Sequence, residues 1–428
     1  ESVSARQPTI NVGTIGNVSN GKSKIVEGCS GTATQKYKKE KETNITIRLG
    51  YANSKIFKCD NCEVPKCYQF RASSVMESNC DHCTAPIHLV RHISFVDCPG
   101  HHTLMETMMS GASLMDCALL ITSAANKIPG NQTAEHLAAS QIMGFSQYLV
   151  ILNKLDLISQ DKVAEKKEEI ETFVKGTQAE GAPIIPMAAN FGYNLDYLAY
   201  YLVNYIKEPK RDLTLQPEML IVRSFNTNKA GTPVKDLRGG VLGGSILQGV
   251  FKIGDEIEIR PGIQMMDTTR KGKLVYHPII ARIETLQSDK NSLEVARAGG
   301  LTAIGTNLDP GIAKGDALMG NTVGFPGKMS AVAENMTLRY TISDTCYDDS
   351  SLKVGELSVR DQLKFAIKGS TILGVITDLK DDTIQVFLQK LVCAKKGDKF
   401  PVSKKMASGW RLIGMVELLD FQEANKYV

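Results

Sequence analysis

The residues of this chain best suited to chemistry form a glycine-rich loop near its beginning. Gly16, Gly21, Lys22 and Ser23 have the spacing G-x-x-x-x-G-K-[ST], after a β-branched run and before a helical pattern. The glycines let the backbone fold tightly, so that its N–H groups and the start of the next helix converge on phosphate oxygens. Lys22 would reach the β- and γ-phosphates, and the Ser23 hydroxyl would bind Mg²⁺. The pattern predicts a nucleotide site, whereas a plain strand-to-helix turn would bind nothing. The loop residues between the glycines join the predicted contacts: Asn17, Val18, Ser19 and Asn20.

Two further segments could complete a Mg²⁺ site and activate water. Thr46 follows a polar, lysine-rich loop and could bind the ion when a γ-phosphate is present, although a threonine in a strand is ordinary. Asp97 ends an apolar strand three residues before Gly100. Asp97 could contact Mg²⁺ through water while the Gly100 N–H contacts the γ-phosphate. His101 could orient the attacking water, although a lone histidine is more often structural.

The sequence Asn153-Lys154-Leu155-Asp156 directly follows an apolar strand and is suited to recognising guanine. The Asp156 carboxylate can accept from guanine N1–H and N2–H₂ together. Asn153 can contact N7 and the adjacent loop, and the Lys154 stem can cover the ring. Adenine lacks those donors and would leave Asp156 unpaired, so we predict discrimination of about 10⁴-fold. Taken alone, the same tetrapeptide could be a helix-capping turn.

Four cysteines between residues 59 and 83 have the spacing of a zinc knuckle. Cys59-x₂-Cys62 and Cys80-x₂-Cys83 are separated by seventeen residues, within the range of zinc ribbons. The insert between them is too polar for a core of its own, so a tetrahedral Cys₄ zinc would hold it together. A disulfide pair or idle thiols are the alternatives, and Cys67 could displace one ligand.

The elements that must position these residues alternate between strand and helix up to about residue 206. Apolar and amphipathic patterns predict strands at 88–96, 117–123, 148–153 and 183–188, and helices at 24–29, 103–115, 134–143, 163–177 and 195–206. This alternation predicts an α/β fold, a P-loop GTPase-type domain with a doubly wound, mostly parallel sheet. Beyond a linker at 206–212, glycine-punctuated strands predict two β-barrels. We therefore predict three domains: 1–208 with the cysteine-rich insert at 59–83, 209–327 and 328–428.

Composition and charge exclude several classes of protein. The 428 residues are 43% apolar and 22% charged, and no apolar run is long enough to span a membrane. A net charge of +4 is too small to indicate nucleic acid by itself. Ten cysteines without a secretory signal favour reduced thiols. We therefore expect a cytoplasmic protein.

Four motifs in one order resemble those of the translation GTPases: GNVSNGKS at 16–23, NITI at 44–47, DCPGH at 97–101 and NKLD at 153–156. Segments outside them resemble a narrower family, the gamma subunits of eukaryotic and archaeal translation initiation factor 2. These segments are LGYAN at 49–53, the cysteine knuckles, VRHISFVD at 90–97, RSF at 223–225, GDEIEIRPG at 254–262 and WRLIG at 410–414. The resemblance covers nearly the whole chain.

The resemblance implies a GTP-hydrolysing switch and gives roles to individual residues. Thr46 would be the Mg²⁺ ligand of the first switch segment, and Asp97 and Gly100 would lie in the second. His101 would orient water between an apolar gate formed by Val18 and Ile45. The last guanine motif would fall on Ala188, Ala189 and Asn190, with the Ala189 N–H donating to guanine O6.

This chain departs from the family pattern at several positions. They are Asn17 and Asn20 where His is usual, Lys24 for a hydroxyl residue, Ala188 for Ser, and His102 for an acidic residue. Because Lys22, Ser23 and Asp97 are retained, binding of GTP, GDP and Mg²⁺ should survive. Hydrolysis should be slow without an activating protein.

The resemblance also implies partners. They are methionylated initiator tRNA, the alpha and beta subunits of a heterotrimer, the small ribosomal subunit, and GTPase-activating and nucleotide-exchange factors. The barrels would hold the tRNA acceptor end and the alpha subunit. The basic segment 390–411 suits a phosphate-backbone contact, although a lysine-rich strand edge explains it almost as well. Tyr51 could stack on a tRNA base or pack at a domain interface.

Two other functions stay open from the sequence. A GTP-dependent tRNA-binding scaffold would hydrolyse almost no GTP of its own. A related elongation factor, for selenocysteine or for bulk tRNA, is expected to lack the zinc insert that this chain contains.

Overall fold

The structure is a computed structural model that describes residues 3–35, 40, 46–101, 104–267, 273–347, 351–407 and 409–427. The chain divides into two compact units, one of residues 1–210 with 289–291 and one of residues 211–288 with 292–428. Two residues named above, Ile45 and His102, lie outside the described residues. Within those ranges, no helix has both the length and the apolar character needed to cross a membrane.

The first unit is built around one sheet. In chain order its elements are α1 Val3–Arg6, β1 Ile10–Ile15, α2 Lys22–Ser30, β2 Gly50–Lys58, β3 Tyr68–Ala72, β4 Ser78–Asn79, β5 Pro86–Asp97, α3 Met105–Ala112, β6 Cys117–Ser123, α4 Asn131–Ile142, β7 Tyr148–Asn153, α5 Lys162–Val174, β8 Ile184–Pro186 and α6 Leu195–Asn204. The strand order is β3-β2-β5-β1-β6-β7-β8, with β4 paired to β5. Strands β5, β1, β6, β7 and β8 are parallel, whereas β2 and β3 form an antiparallel edge.

The sheet confirms the α/β prediction for this half of the chain. Every residue of β1, β6 and β7 is buried, as in a parallel sheet that is covered on both faces. Strands β6 and β7 have the predicted bounds, because a continuous apolar run marks both ends. Helix α5 ends three residues earlier than predicted, at Val174. There the chain turns and the Thr177 hydroxyl donates to the Val174 carbonyl at 2.6 Å.

The cysteine-rich insert is joined to the main sheet. Its strand β3, which was not predicted, pairs with β2. Cys59, Cys67 and Cys80 lie in the same buried cluster as Ile56 and Tyr68. The insert, predicted to be too polar for a core of its own, therefore shares the core of the nucleotide-binding sheet.

The second unit contains two closed six-stranded barrels. Its strands are β9 Glu218–Phe225, β10 Val241–Gln248, β11 Val250–Lys252, β12 Glu256–Asp267, β13 Lys273–Ser288, β14 Asn291–Leu293, β15 Val295–Arg297, β16 Leu301–Thr306, β17 Thr322–Gly324, β18 Val332–Ile342, β19 Gln362–Ile367, β20 Ser370–Lys380, β21 Thr383–Cys393, β22 Lys399–Met406, β23 Gly409–Glu423 and β24 Asn425–Lys426. One ring runs β12-β17-β9-β10-β16-β13, and β13 pairs back with β12. The other runs β18-β21-β20-β19-β22-β23, and β23 pairs back with β18. The two predicted barrels are therefore confirmed, while the exact domain boundaries at 208/209 and 327/328 remain our proposal.

The basic segment 390–411 is partly neutralised within the second unit. Lys395 lies 2.9 Å from the Glu218 carboxylate, Lys396 lies 2.8 Å from Asp420, and Lys404 lies 3.1 Å from Asp361. Surface pairs of this kind contribute little stability but they lower the local positive potential. The segment is therefore a weaker candidate for a phosphate contact than its sequence predicts.

Candidate nucleotide-binding site

The phosphate loop connects the end of β1 to the start of α2, and its glycines are required by its geometry. Gly16 has φ 138° and Gly21 has φ 94°, conformations that residues with a Cβ rarely adopt. A Cβ on Gly16 would lie 2.2 Å from the Ile121 carbonyl oxygen, and one on Gly21 would lie 2.2 Å from Asn153 Nδ2. The loop can therefore take this path against β6 and β7 only with glycine at both positions.

Lys22 is buried at the centre of this loop. Its ammonium donates to the carbonyl oxygens of Gly16 at 3.0 Å and Asn17 at 2.8 Å. Burial lowers the pKa of Lys22 to about 8, and the nearby Asp97 carboxylate opposes that shift. An ammonium has three N–H donors, so one remains for a phosphate oxygen.

The three predicted Mg²⁺ ligands lie beside Lys22. Ser23 Oγ is 2.9 Å from Thr46 Oγ1, which places together the two hydroxyls that the sequence could assign only by spacing. Asp97 is fully buried and accepts hydrogen bonds from Thr14 at 3.0 Å and Thr34 at 2.5 Å. Burial raises the pKa of Asp97, and its bonds to Thr34, Ser23 and Thr14 and the charge of Lys22 oppose that shift. Two hydroxyls and a carboxylate are the hard oxygen donors that Mg²⁺ prefers.

The segment after β5 lies against the phosphate loop. A Cβ on Gly100 would be 2.4 Å from Lys22 Nζ and 2.7 Å from the Val18 nitrogen, so only glycine allows this approach. His101 is partly exposed, and its carbonyl accepts from the Leu104 N–H at 2.8 Å. The predicted gate is represented among the described residues by Val18 alone.

On the guanine side, Asn153 joins two loops. Its Nδ2 donates to the Asn20 carbonyl at 2.8 Å, and its Oδ1 accepts from the Ala189 N–H at 3.1 Å. The Ala189 N–H, predicted to donate to guanine O6, is therefore already engaged and would have to share or exchange that bond. Asp156 is exposed in a 3₁₀ turn, Leu155–Leu157. Ala188, which follows β8, is buried.

A cavity of about 520 Å³ joins the two sides. Its lining includes residues of the phosphate loop, of α2 and the segment after it, and of the loops that follow β5, β7 and β8: Val18, Ser19, Gly21, Lys22, Ser23, Lys24, Glu27, Ala33, Thr34, Gln35, Thr46, Gly100, Lys154 and Asn190. Most predicted nucleotide contacts therefore line one concavity. Six predicted contacts are not in this lining, and Asn153 joins two of the others through its bonds to Asn20 and Ala189. The six are Asn17, Asn20, Asn153, Asp156, Ala188 and Ala189.

The four knuckle cysteines converge, and Cys67 is not among them. Their sulfur atoms all lie within 4.8 Å of one another, with Cys59 to Cys83 at 3.4 Å and Cys62 to Cys80 at 3.6 Å. Four sulfurs at about 2.3 Å from a tetrahedral zinc are about 3.8 Å apart, so the cluster is compatible with zinc. All ten cysteines are free thiols, which disfavours the disulfide alternative.

Donors around the cluster favour a thiolate. Burial alone would raise the pKa of Cys80, but the N–H groups of His82 and Cys83 and the Gln69 amide outweigh it and lower the pKa to about 6. Burial and the bond to Cys80 raise the pKa of Cys62 to about 12. Because the thiolate is the metal ligand, a zinc ion would replace the protons that these four cysteine thiols otherwise carry.

Comparison with known proteins decides the family. The family model described as the elongation factor Tu GTP binding domain matches residues 7–208, and that described as initiation factor eIF2 gamma, C terminal, matches residues 334–418. Eukaryotic translation initiation factor 2 subunit 3 of Drosophila melanogaster is 43% identical over 99% of this chain and 93% of its own length. The chain belongs to the family of translation initiation factor 2 gamma subunits.

Other members of the gamma-subunit family agree. Translation initiation factor 2 subunit gamma of Methanococcus vannielii is 41% identical over 96% of this chain and 98% of its own length. Eukaryotic translation initiation factor 2 subunit gamma of Schizosaccharomyces pombe is 41% identical over 97% of this chain and 95% of its own length. As a member of the gamma-subunit family, the chain is a GTP-binding and GTP-hydrolysing translation initiation factor.

Solved structures support the fold alone. The bacterial selenocysteine-specific elongation factor EF-Sec has a TM-score of 0.70 at 18% identity, over 97% of this chain and 59% of that chain. Elongation factor SelB of Methanococcus maripaludis, in complex with the GTP analogue GppNHp, has a TM-score of 0.70 at 17% identity, over 98% of this chain and 80% of that chain.

Several residues that hold the site in place were missed from the sequence. Thr14 and Thr34 bind Asp97, while Thr133 and His136 of α4 accept from the N–H groups of Asn17 and Gly16. The i, i+3 spacing of Thr133 and His136 puts both side chains on one helix face. That spacing was the available signal, but it does not say which loop the face meets.

Proposed function

We propose that this chain uses GTP to deliver methionylated initiator tRNA to the small ribosomal subunit, as the nucleotide- and tRNA-binding subunit of a heterotrimer with alpha and beta subunits. The supporting observation is that Thr46 and Gly100, from two separate parts of the chain, meet the phosphate loop at Ser23 and Lys22. A γ-phosphate contacted by both segments would order them, and its loss would release them.

The residues present suit a bound Mg²⁺ ion. Ser23, Thr46 and Asp97 would hold the ion, which when bound neutralises charge on the β- and γ-phosphates. Lys22 contributes its remaining N–H donor at the same place. Asp97, fixed by Thr14 and Thr34, keeps its carboxylate oriented toward Ser23.

In hydrolysis a water oxygen bonds to the γ-phosphorus while the bond to the β–γ bridging oxygen breaks, giving GDP and phosphate. We assign the orientation of that water to His101, beside an apolar gate of Val18 and Ile45. The Gly100 N–H would contact the transferred group. Asn17 and Asn20 in the phosphate loop and Lys24 in α2 give us reason to expect slow hydrolysis until an activating factor binds.

On the guanine side, Asp156 would accept from N1–H and N2–H₂, with Lys154 over the ring and Asn190 at the cavity wall. Ala188 and Ala189 would complete the base pocket through their backbone. Asn153 acts mainly by fixing Ala189 relative to the phosphate loop. Zinc at Cys59, Cys62, Cys80 and Cys83 would stabilise the insert, and Tyr51, partly buried in β2, is a weak candidate for tRNA stacking. We also propose a cytoplasmic location and a nucleotide-exchange factor as a partner.

The proposal is tested by filter binding of initiator and elongator tRNA, each with a GTP analogue and with GDP. We expect initiator tRNA with the GTP analogue to bind best. Equal binding of both tRNAs would remove the initiator assignment. Single-turnover phosphate release with ribosome and activating factor separates the switch from a scaffold, since release at the level of a Lys22→Ala control would support the scaffold.

A further inference from the structure

The opening turn of the phosphate loop is held from outside by helix α4. The Gly16 N–H donates to His136 Nδ1 at 3.1 Å, and the Asn17 N–H donates to Thr133 Oγ1 at 3.2 Å. Neither of these N–H groups points to the cavity, since both are used by α4 side chains. They therefore fix the path of the loop and do not bind phosphate.

The same two residues are held at their other ends by Lys22. Its ammonium donates to the Gly16 and Asn17 carbonyl oxygens. The N–H and the C=O of each residue are thus engaged by three side chains, His136, Thr133 and Lys22. Because Lys22 also has to reach the phosphates, any shift of Gly16 would move the ammonium that contacts the nucleotide.

The burial of the His136 side chain is energetically unfavourable, and its hydrogen bond to Gly16 explains why a histidine is present there. The side chain is fully buried, and burial together with the charge of Lys22 lowers its pKa to about 3. It is therefore neutral near pH 7, with Nδ1 as acceptor and the proton on Nε2. Within the described ranges Nε2 has no hydrogen-bond partner. A buried donor without a partner is unfavourable, so an apolar residue would be expected here unless the acceptor were needed.

The start of α4 lies against the phosphate loop. The helix begins directly after Gly130, and a Cβ on Gly130 would lie 2.8 Å from the end of the Asn17 side chain. The face that carries Thr133 and His136 therefore meets the loop at Gly16 and Asn17.

We propose that His136, assisted by Thr133, is a positioning residue for GTP and GDP, which sets the phosphate loop by accepting the Gly16 N–H. The inference rests on the nucleotide-binding function and assigns two further residues to it. Since the bond is made to the loop and not to the γ-phosphate, its loss should weaken GTP and GDP binding by similar factors.

The test is equilibrium and stopped-flow binding of fluorescent GDP and a GTP analogue to the full chain. The leucine and asparagine side chains of His136→Leu and His136→Asn both branch at Cγ, but only asparagine places an acceptor oxygen near the position of Nδ1. We expect His136→Leu to weaken both nucleotides about tenfold or more, mainly through faster dissociation. We expect His136→Asn to recover most of the loss. Equal weakening in both variants, or unchanged affinity in His136→Leu, would overturn the proposal.

A second pair protects the test against a variant that fails to fold. Thr133→Val removes the hydroxyl acceptor at constant shape, and Thr133→Ser retains it. We expect Thr133→Val to weaken both nucleotides severalfold and Thr133→Ser to bind like the unchanged chain. The same affinity in both would count against the proposal.

Ser140→Ala is the matched control on α4. Its hydroxyl is buried and bonds the Leu137 carbonyl and Tyr148, not the loop. It should lower thermal stability while leaving nucleotide affinity within about twofold, because the two buried hydrogen bonds that are lost are neutral and neither is made to the phosphate loop. A loss of affinity as large as in His136→Leu would show a general effect of α4 stability and refute the specific role. If the unchanged chain bound no guanine nucleotide, the proposed function itself would fail.

Discussion

The phosphate side and the guanine side of the nucleotide cavity are built differently. On the phosphate side Lys22 and Asp97 are buried, and each is bound by several groups of the protein. On the guanine side the carboxylate of Asp156, which we propose reads the base, is exposed in a short turn. The phosphate side is therefore preorganised by the protein's own hydrogen bonds, whereas the base itself must supply the partners of Asp156.

This difference separates affinity from selectivity. A preformed phosphate side binds any nucleotide with the right phosphates, because its donors are already in place. In our proposal base choice depends on the exposed Asp156 carboxylate, which would gain two hydrogen bonds only from guanine. Asn153 is the one described side chain that bonds both the phosphate loop and the guanine loop.

The largest change in nucleotide affinity and base preference is expected for Asp156→Asn. The amide replaces one acceptor oxygen by a donor, so GTP affinity should fall by about 10³-fold or more while xanthosine triphosphate gains affinity. Competition binding with both nucleotides measures the exchange. Unchanged affinity for GTP in this variant would contradict the assignment of Asp156 to the base.

A smaller effect is expected for Asn153→Ala, which breaks the link between the two sides. Two hydrogen bonds are lost and the Asn20 carbonyl and Ala189 N–H lose their partner, so GTP and GDP should both bind about 10- to 100-fold more weakly. Base preference should be retained, since Asp156 is unchanged. If guanine selectivity collapsed while phosphate binding stayed intact, Asn153 would be reading the base and not joining the loops.

Removal of zinc should have little effect on nucleotide binding at either side of the cavity. We expect about one zinc per chain by elemental analysis, lost in Cys59→Ser or Cys80→Ser. The insert should then become sensitive to proteolysis because its cysteines no longer share a metal. Nucleotide affinity should change less than about threefold, since no nucleotide contact depends directly on the metal. If the chain kept its full structure without zinc, the assignment of a zinc knuckle to these cysteines would be refuted.

The smallest effect on nucleotide affinity is expected for substitution of Glu218, which lies in the second unit. Burial alone would raise its pKa, but Lys368 and Lys395 outweigh burial and lower it. Its contribution to stability is therefore complete above the ordinary glutamate pKa of about 4.3 and is lost as pH falls through the lower pKa of the folded state.

Trp410, the single tryptophan, lies in β23 and reports unfolding of the second barrel. Glu218 lies in β9 of the first barrel and pairs with Lys368 and Lys395 of the second barrel. Glu218→Gln should therefore lower the free energy of unfolding of the second unit by about 1–2 kcal/mol near pH 7 and by less near pH 3. A loss of the same size at both pH values would show that the charge of Glu218 is not responsible. Nucleotide affinity should not change.

The sequence predicted the parts of the molecule that local pattern determines. Strands β6 and β7 were predicted correctly at both ends because fully buried parallel strands are continuous apolar runs. Lys22, Ser23 and Asp97 were predicted from spacing, and the structure places them together. The separation of the cavity into a preformed and an exposed side could not be predicted, since it depends on Thr34 and Asn153 finding partners far along the chain.

The remaining differences have the same origin. Strand β3 was missed because the insert is polar and its pairing partner, β2, lies outside it. His136 was missed because helical periodicity shows which side chains share a face but not what that face contacts. The basic segment 390–411 looked like a phosphate contact until its carboxylate partners were placed beside it.

The most direct test of the central claim, that the γ-phosphate fixes both switch segments through the Mg²⁺ ligands, is initiator tRNA binding by the unchanged chain and by Thr46→Ala. Each is measured with a non-hydrolysable GTP analogue and with GDP. We expect the unchanged chain to bind initiator tRNA at least about tenfold more tightly with the GTP analogue, a coupling typical of such switches. In Thr46→Ala both nucleotides should give the weaker affinity, with GDP binding itself unchanged. Equal tRNA affinity with the two nucleotides in the unchanged chain would contradict the claim.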